Sequence, residues 1–543
     1  MAGTRRTKAK TATKTKKQQA TKATKSKKKP TKAAVKSHTP LKPKKRDVKS
    51  DSKKAEDKEE MKEIKASISN GIMIDHKIQN PANYEVVKIR GTILNANLMY
   101  ADCVHNNNKF YIIQGLKNGS TYYLWTRWGR VGVDGQSSMI FCASEDNLIR
   151  QYSKKINSKK SKGYNEIEIS YEDVSKTTKK LEKLEKKNSK KKGKEPKKDC
   201  QLDNSVQDLL RFIFDMKMIE KSVVKVGFNV KKLPLGKLSK STILKGYAVL
   251  KEIDKELKGT ATHITLGKLS SDFYSIIPHD FGFAKLSNFI INSREKLKEK
   301  LELVETLGDI QIAAEIMNAV EEEDDDNHEL DSKYNKMKWK IVPIEEGHKD
   351  YDNLIKTITS THGSTHYYKV VPTEIFKIER EGEKDRFNAK LGNSKLLWHG
   401  SRFSNWGGIL SQGLRIAPPE APVTGYMFGK GVYFADVVTK SAGYCCAGLS
   451  KGEGLLALWE VALGDPRDLK HADYNAANLP KGKGSTKGVG RWVPNKEVDI
   501  DGIPAYIGPM QDLGSQYYLR YNEFITYDVK NVQIKYLFRC KIG

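Results

Sequence analysis

Four short stretches decide how this sequence is read: Leu397-Trp398-His399-Gly400-Ser401-Arg402; Tyr426-Met427-Phe428-Gly429-Lys430-Gly431-Val432-Tyr433-Phe434-Ala435; Lys440-Ser441-Ala442-Gly443-Tyr444; and Tyr521-Asn522-Glu523-Phe524. Most set a compact apolar run beside glycine or a turn residue, as a short strand ending in a tight turn does. Further β-rich runs at 396–398, 431–434, 455–463, 524–529 and 532–538 are separated by Gly-rich turns. Few long helical periods intervene, so residues 333–543 are expected to form an α+β domain on a curved antiparallel sheet. Taken singly, the polar residues here say little. A lone His after a strand is most often a hydrogen-bonded structural residue, Gly-x-Gly is common, and a Glu at a strand start is usually solvated.

Upstream the period changes. Val206, Leu209, Leu210 and Ile213 recur at helical spacing behind Asp203 or Asn204, either of which can cap a helix. Leu297, Leu301, Val304, Leu307, Ile310 and Ala314 follow at steps of three and four, so an all-α domain is expected over 201–325. The acidic run 321–326 reads as an exposed loop. Residues 176–200 form a Lys-rich linker. Residues 75–175 carry Phe110-Tyr111-Ile112-Ile113, Tyr122-Tyr123-Leu124-Trp125 and Ser138-Met139-Ile140-Phe141, punctuated by Lys117-Asn118-Gly119 and Val133-Asp134-Gly135. That is a small β-rich domain. Within it, Arg127-Trp128-Gly129-Arg130 sets a flat stacking face between two phosphate-matching guanidiniums. Residue type alone favours a structural Trp in a strand.

Residues 1–74 read as a disordered basic tail: no large apolar residue stands between Met1 and Val35, too little to offset chain entropy. The chain carries a net charge of +31, and residues 1–50 alone hold 19 Lys/Arg against one acid, Asp47. Such a polycation binds phosphate polyanions by releasing counterions. Lys42-Pro43-Lys44-Lys45-Arg46 reads as a nuclear import signal, which places the chain in the nucleus. No stretch approaches the roughly 20 apolar residues of a membrane span, and no secretory h-region is present. The six cysteines (103, 142, 200, 445, 446, 540) lack C-x-x-C or Cys/His ligand spacing. Reduced thiols and no metal are therefore expected, in a soluble, intracellular, multi-domain protein.

Together the four stretches resemble the poly(ADP-ribose) polymerases, whose catalytic domain carries a His, a Tyr and a Glu, here His399, Tyr433 and Glu523. The match runs unbroken from Leu397 to Ala442, through Gly413-Leu414-Arg415-Ile416-Ala417-Pro418-Pro419-Glu420-Ala421-Pro422. Trp128-Gly129-Arg130 resembles the family's WGR domain. Leu233-Pro234-Leu235-Gly236-Lys237-Leu238-Ser239 and Ile277-Pro278-His279-Asp280-Phe281-Gly282 resemble its helical regulatory domain. About 460 residues are covered, in the family's order. With a basic tail in place of zinc fingers, the chain is similar to the short, DNA-activated branch.

The resemblance implies a DNA-break-activated enzyme that cleaves NAD+, releases nicotinamide, and transfers ADP-ribose to itself, to nuclear and chromatin proteins and to a growing polymer. NAD+ is consumed as substrate, with no permanent cofactor. By this resemblance His399, Gly400, Ser401, Asn405, Arg415, Tyr433, Ser441 and Tyr444 bind NAD+. Glu523 is the main catalytic residue, acting with His399, Tyr433 and Lys440, while Met427 and Tyr521 form the acceptor site. Trp128, Arg130 and Lys109 meet the DNA break. Glu305 and Asp309 lie on a regulatory helix facing the pocket, and one relative has Asp where this chain has Glu305. His366 matches a contact with a serine-directing accessory factor, and Ser26, Ser37 and Ser50 match Lys-Ser modification sites. Relatives continue to a Leu-Trp terminus that also docks this factor, whereas the sequence stops at Arg539-Cys540-Lys541-Ile542-Gly543. Two alternatives share parts of this pattern: a mono-ADP-ribosyltransferase, which usually replaces the Glu, and a catalytically silent chromatin-binding protein.

Overall fold

The structure is a computed structural model that describes residues 68–69, 72–167, 199–215, 217–219, 238–323, 328–423 and 426–543. Ser26, Ser37 and Ser50, the import-type cluster at 42–46, nearly all of the Lys-rich linker and positions 233–237 of the helical-domain motif lie outside the described residues.

The first folded region is an antiparallel sheet of strands Asn95–Asp102, Asn107–Asn118, Thr121–Arg130 and Gln136–Cys142, edged by Asn165–Glu166. Asn118 pairs with Thr121, so the hairpin closes through two residues, and Gly119 supplies the positive φ of 58° that such a turn needs. Helix Glu145–Lys160 covers the sheet with Leu148 and Tyr152. Ser144 caps it by accepting from the Asn147 N–H, with acids in the first turn and lysines in the last, as the helix dipole favours. The basic tail was expected to run to residue 74. Instead Ile72 and Ile74 are buried with Val86, Leu116 and Trp125, because this Ile-rich segment has the apolar surface that the Lys/Thr/Ala run lacks.

The helical region contains Asn204–Ile213, Lys240–Lys258, His263–Ile276, Arg294–Glu323 and Glu329–Met337. Asp203, not Asn204, caps the first helix, accepting from the Ser205 N–H. Ser239, the last residue of the Leu233–Ser239 motif, caps the second. In Arg294–Glu323 the expected apolar stripe is buried at Leu297, Leu301, Val304, Leu307 and Ile310. The exposed loop expected at 321–326 is a correction in part: the helix continues through Glu323, and 324–326 lie outside the described residues. Adding a residue to a helix already nucleated costs little, and glutamate is a good helix former.

The last region is built on two sheets. The larger runs, in spatial order, Trp339–Pro343, Val370–Arg380, Val532–Ile542, Glu453–Ala462, Ser394–Ser401, Ile503–Asp512 and Trp492–Ile500. The smaller runs Val432–Phe434, Glu523–Thr526, Ser485–Gly488 and Pro466–Leu469. Ala435 joins them, exchanging backbone hydrogen bonds with Trp398 at 2.8 and 3.0 Å. One hydrophobic core continues from Met99 and Cys103 of the first region through Leu301 and Val304 to Phe403, Trp406 and Leu455. The three regions are packed together, not merely tethered.

Candidate active site

The Ala435 junction decides where the chemistry-bearing side chains go. Phe434 pairs with Phe524 and Tyr433 with Ile525, so Glu523 lies level with Ala435. The Trp398–Ala435 bridge puts His399 one residue from the same point. Three strand segments distant in sequence thus deliver His399, Tyr433 and Glu523 to one cavity of about 560 Å³. Gly400, Ser401, Asn405, Arg415, Met427, Lys440, Ser441 and Tyr444 line it too.

His399 Nδ1 lies 3.0 Å from the Tyr433 carbonyl oxygen. A carbonyl only accepts, so Nδ1 carries the proton and Nε2 is left as an acceptor. Burial depresses the imidazole pKa despite this bond, favouring the neutral ring. The Tyr433 hydroxyl donates to Gly429 O (2.7 Å) and accepts from the Phe428 N–H (2.9 Å), fixing the ring against its own loop. Ser441 Oγ donates to Trp398 O at 3.0 Å, and Asn405 Nδ2 to Ser401 Oγ at 3.0 Å. A Cβ at Gly400 would stand 2.2 Å from Ser441 O, so only glycine lets the strand come this close. Lys440 Nζ forms a 2.8 Å ion pair with Glu523 Oε1 and also donates to the carbonyls of Tyr521 and Asn522.

Tyr521 and His366 stand apart from the cavity lining. Tyr521 is buried, its hydroxyl 2.7 Å from Thr365 Oγ1, and it stacks on His366 with centroids 5.1 Å apart. His366 Nδ1 meets Thr439 Oγ1 at 2.8 Å, and burial lowers its pKa.

The other wall of the cavity is helical. Lys298, Glu302, Glu305 and Asp309 fall at steps of three and four on helix Arg294–Glu323, and all face inward. Glu302 pairs with Arg402 at 2.7 Å, and Asp309 pairs with Arg415. Glu305 keeps accessible surface where it lines the cavity. Burial raises its carboxyl, against the pull of Arg415. Burial likewise holds the Asp309 carboxyl up at about 7, again against Arg415. Gly408 permits this approach, since a Cβ there would stand 2.7 Å from Asp309 Oδ1. Lys298 Nζ sits 5.9 Å from the centre of the Tyr444 ring. Only Glu305 and Asp309 of this helix were expected to matter. Lys298 and Glu302 carry a signal that was available, the spacing 298/302/305/309 beside the apolar stripe.

On the first region, Trp128 is half-buried and stacks on Tyr111, with centroids 5.7 Å apart and planes at 14°. Lys109 is exposed and lies directly across the sheet from Arg130. Lys159 Nζ lies 4.0 Å from the Tyr111 ring centre. Its ammonium pKa is lowered by burial and then by Lys162, Lys155 and Lys109. Arg130 reaches into the helical region, donating to Gly282 O at 2.7 Å and Ala284 O at 3.3 Å. Arg127, in contrast, is buried against Asp75 at 2.8 Å.

Outside the cavity lining, Cys200, His328 and Asp331 bring ligand-type atoms within 4.8 Å of one another. Asp331 already accepts from Cys200 Sγ and the Gln201 N–H, which accounts for the cluster as an anchor for the start of the helical region.

Comparison with known proteins follows the same three regions. Residues 348–542 match the poly(ADP-ribose) polymerase catalytic domain, 200–334 the poly(ADP-ribose) polymerase regulatory domain, and 95–171 the WGR domain. A Zea mays protein named poly [ADP-ribose] polymerase 2 is 40% identical over 501 residues, covering 88% of this chain and 75% of its own. The chain belongs to the poly(ADP-ribose) polymerase family. A Homo sapiens polymerase 2 is 38% identical over 456 residues, 81% of this chain and 78% of that one. A Danio rerio polymerase 1 is 36% identical over 505 residues but is matched over only 48% of its length. The polymerase described here is therefore similar to polymerase 2, and it is an ADP-ribosyltransferase.

Proposed function

We propose that this polymerase is switched on by DNA breaks in the nucleus, in DNA damage signalling and repair, and builds poly(ADP-ribose) from NAD+ on itself, on chromatin proteins and on the growing chain. The observation that carries this reading is the convergence of His399, Tyr433, Ser441, Tyr444 and Glu523 on one cavity whose arginines are paired to carboxylates of the regulatory helix.

Breaking the nicotinamide–ribose bond sends its electron pair to the nicotinamide nitrogen and leaves an oxocarbenium-like ribose. The site must grip the leaving group and stabilise positive charge. Ser441 and the backbone at Gly400 would hold the carboxamide, with the ring between Tyr433 and Tyr444. His399 Nε2, an acceptor by virtue of its Nδ1 bond, would take a hydrogen bond from the adenosine-side ribose, beside Ser401 and Asn405. Arg415 would meet phosphate. Glu523 would accept from the nicotinamide-side ribose 2′-hydroxyl and orient the incoming hydroxyl, whose proton leaves to water. A carboxylate about 4 Å from the developing cation is worth ~4 kcal/mol at an effective dielectric of ~20. That is roughly three orders of magnitude in rate. Met427 lines the side where an acceptor would enter. Tyr521 would act there only by supporting Lys440, through its carbonyl.

Autoinhibition is supported by the same geometry. Glu302 and Asp309 pair with arginines beside the expected phosphate site, so the dinucleotide must displace the helix to bind. DNA would act through the WGR domain, where three lysines act on Lys159 beside Tyr111, on which Trp128 stacks, a crowding that phosphate would relieve. Arg130 then links that surface to the helical domain, through the carbonyls of Gly282 and Ala284. A switch from 1:99 to 99:1 needs about 5.5 kcal/mol of preference for the open state. A serine-directing factor would dock beside His366, where Tyr367 is fully exposed.

The test is NAD+ consumption with and without nicked DNA, with labelled products separated by size. A DNA-dependent ladder is expected. A single added unit would favour a mono-transferase, and no turnover in either condition a silent DNA-binding protein.

A further inference from the structure

Behind the Glu523 strand lies a buried carboxylate for which the mechanism above has no use. Asp436 follows the Ala435 junction and is 1% exposed. Its Oδ2 accepts from Asn522 Nδ2 at 2.6 Å, and Asn522 Oδ1 accepts from the Gly490 N–H at 2.8 Å. Asp436 Oδ1 has no hydrogen-bond partner among the described residues. A buried carboxylate with an idle oxygen costs stability, so packing alone gives no reason for it.

The charged and titratable groups that face it come from three elements. Lys440 stands on the helix Val438–Ala442, Lys487 on the strand Ser485–Gly488 and Tyr506 on the strand Ile503–Asp512. Asn522 links Asp436 to the catalytic carboxylate, because its own carbonyl, with that of Tyr521, accepts from Lys440 Nζ at 3.2 and 3.1 Å. Lys440 in turn holds Glu523 at 2.8 Å.

We propose that Asp436 is a positioning residue for ADP-ribose transfer: through Asn522 it fixes the carbonyls that hold Lys440, and through Lys440 it aims the Glu523 carboxylate. This rests on the reading of Glu523 as the catalytic carboxylate. Asp436 contributes no atom to the bonds made or broken. Its charge also offsets Lys487 and Lys440, which both act on it. Burial holds its carboxyl up at about 6, against Asn522, Lys487 and Lys440. A raised carboxyl loses its charge early as pH falls, so the anchor weakens below about pH 6.

The experiment is steady-state kinetics of the full chain with nicked DNA. Asp436→Asn keeps the size of the side chain and an oxygen for Asn522 but removes the charge. We expect kcat to fall about tenfold, as for other residues that orient a catalytic group, with KM for NAD+ within about twofold. The acid limb of the kcat profile near pH 6 disappears. Placed on Glu523→Gln, the same change has little further effect. An equal loss on both backgrounds, or a loss carried in KM and thermal stability alone, overturns the proposal and leaves a structural role. Asn522→Ala carries the same expectation and serves if Asp436→Asn does not fold. Wild-type kcat in Asp436→Asn beside an inactive Glu523→Gln sinks this inference only. Full activity in Glu523→Gln sinks the reading of Glu523 itself.

Discussion

Glu523 and the trio Glu302, Glu305 and Asp309 send carboxylates into one cavity from opposite walls, on elements of different kinds. Glu523 opens a strand hydrogen-bonded on one side to Val432–Phe434 and on the other to Ser485–Gly488. Its position is set by backbone ladders that cannot shift without unmaking the sheet. The trio rides a helix whose backbone bonds run within the helix, and among the described residues its ion pairs to the catalytic domain are made by side chains. Helix Arg294–Glu323 can move away and keep every backbone bond. A fixed wall suits a group that must meet a transition state, and a removable wall suits a gate.

Variants of each wall test that contrast. The largest effect is expected from Glu523→Gln, which should retain the fold and NAD+ binding but lower kcat about a thousandfold, read as loss of polymer. Long polymer made at the wild-type rate would remove the fixed wall from the mechanism. Next is Glu302→Gln on the full chain, which should raise DNA-independent activity several-fold and leave the DNA-stimulated rate nearly unchanged. Unchanged basal activity would mean that the Glu302–Arg402 pair does not hold the gate. Arg130→Ala should come third. DNA should still bind, through Trp128 and the lysines, while its stimulation of activity falls several-fold, measured as the ratio of rates with and without nicked DNA. Equal losses in binding and stimulation would make Arg130 a DNA contact alone.

The smallest effect is in pH. The Asp309 carboxyl is held at about 7 in the closed state by burial, against an ordinary value of 3.8. The closed state therefore binds a proton that the open state releases. That contribution to closure is complete below the ordinary value and is lost as pH rises through about 7. Basal activity, taken relative to DNA-stimulated activity, should rise severalfold from pH 6 to pH 8, and Asp309→Asn should flatten the rise. Glu305, also raised by burial, would leave a weaker slope of the same sign.

Much of this contrast is legible in the sequence. The apolar stripe from Leu297 to Ile310 is a local periodicity, and it identified the helix. The runs around His399, Tyr433 and Glu523 identified strand ends, and the family likeness assigned their roles. Glu302 was missed, although its spacing to Glu305 and Asp309 was there to see, because acidic residues on a helix are usually solvated. Arg130 was assigned to DNA, yet it also grips two carbonyls about 150 positions away, and no sequence pattern encodes such a contact. Asp436 and Asn522 carry no sequence signal of their place behind Glu523, since an Asp after a strand and an Asn before a Glu are ordinary in isolation.

The elements and their order can be read from the residues alone: a charged, apolar-poor tail, a β-rich domain, a helical one and a sheet-based catalytic one. Those properties depend on neighbours within a few residues, through period, turn chemistry and charge density. Only tertiary structure decided that Ala435 brings three strand ends together, that a helix inserts its acids against Arg402 and Arg415, and that Asp436 stands behind Glu523. These depend on side chains meeting across long separations, where packing and desolvation, not local preference, choose the partners.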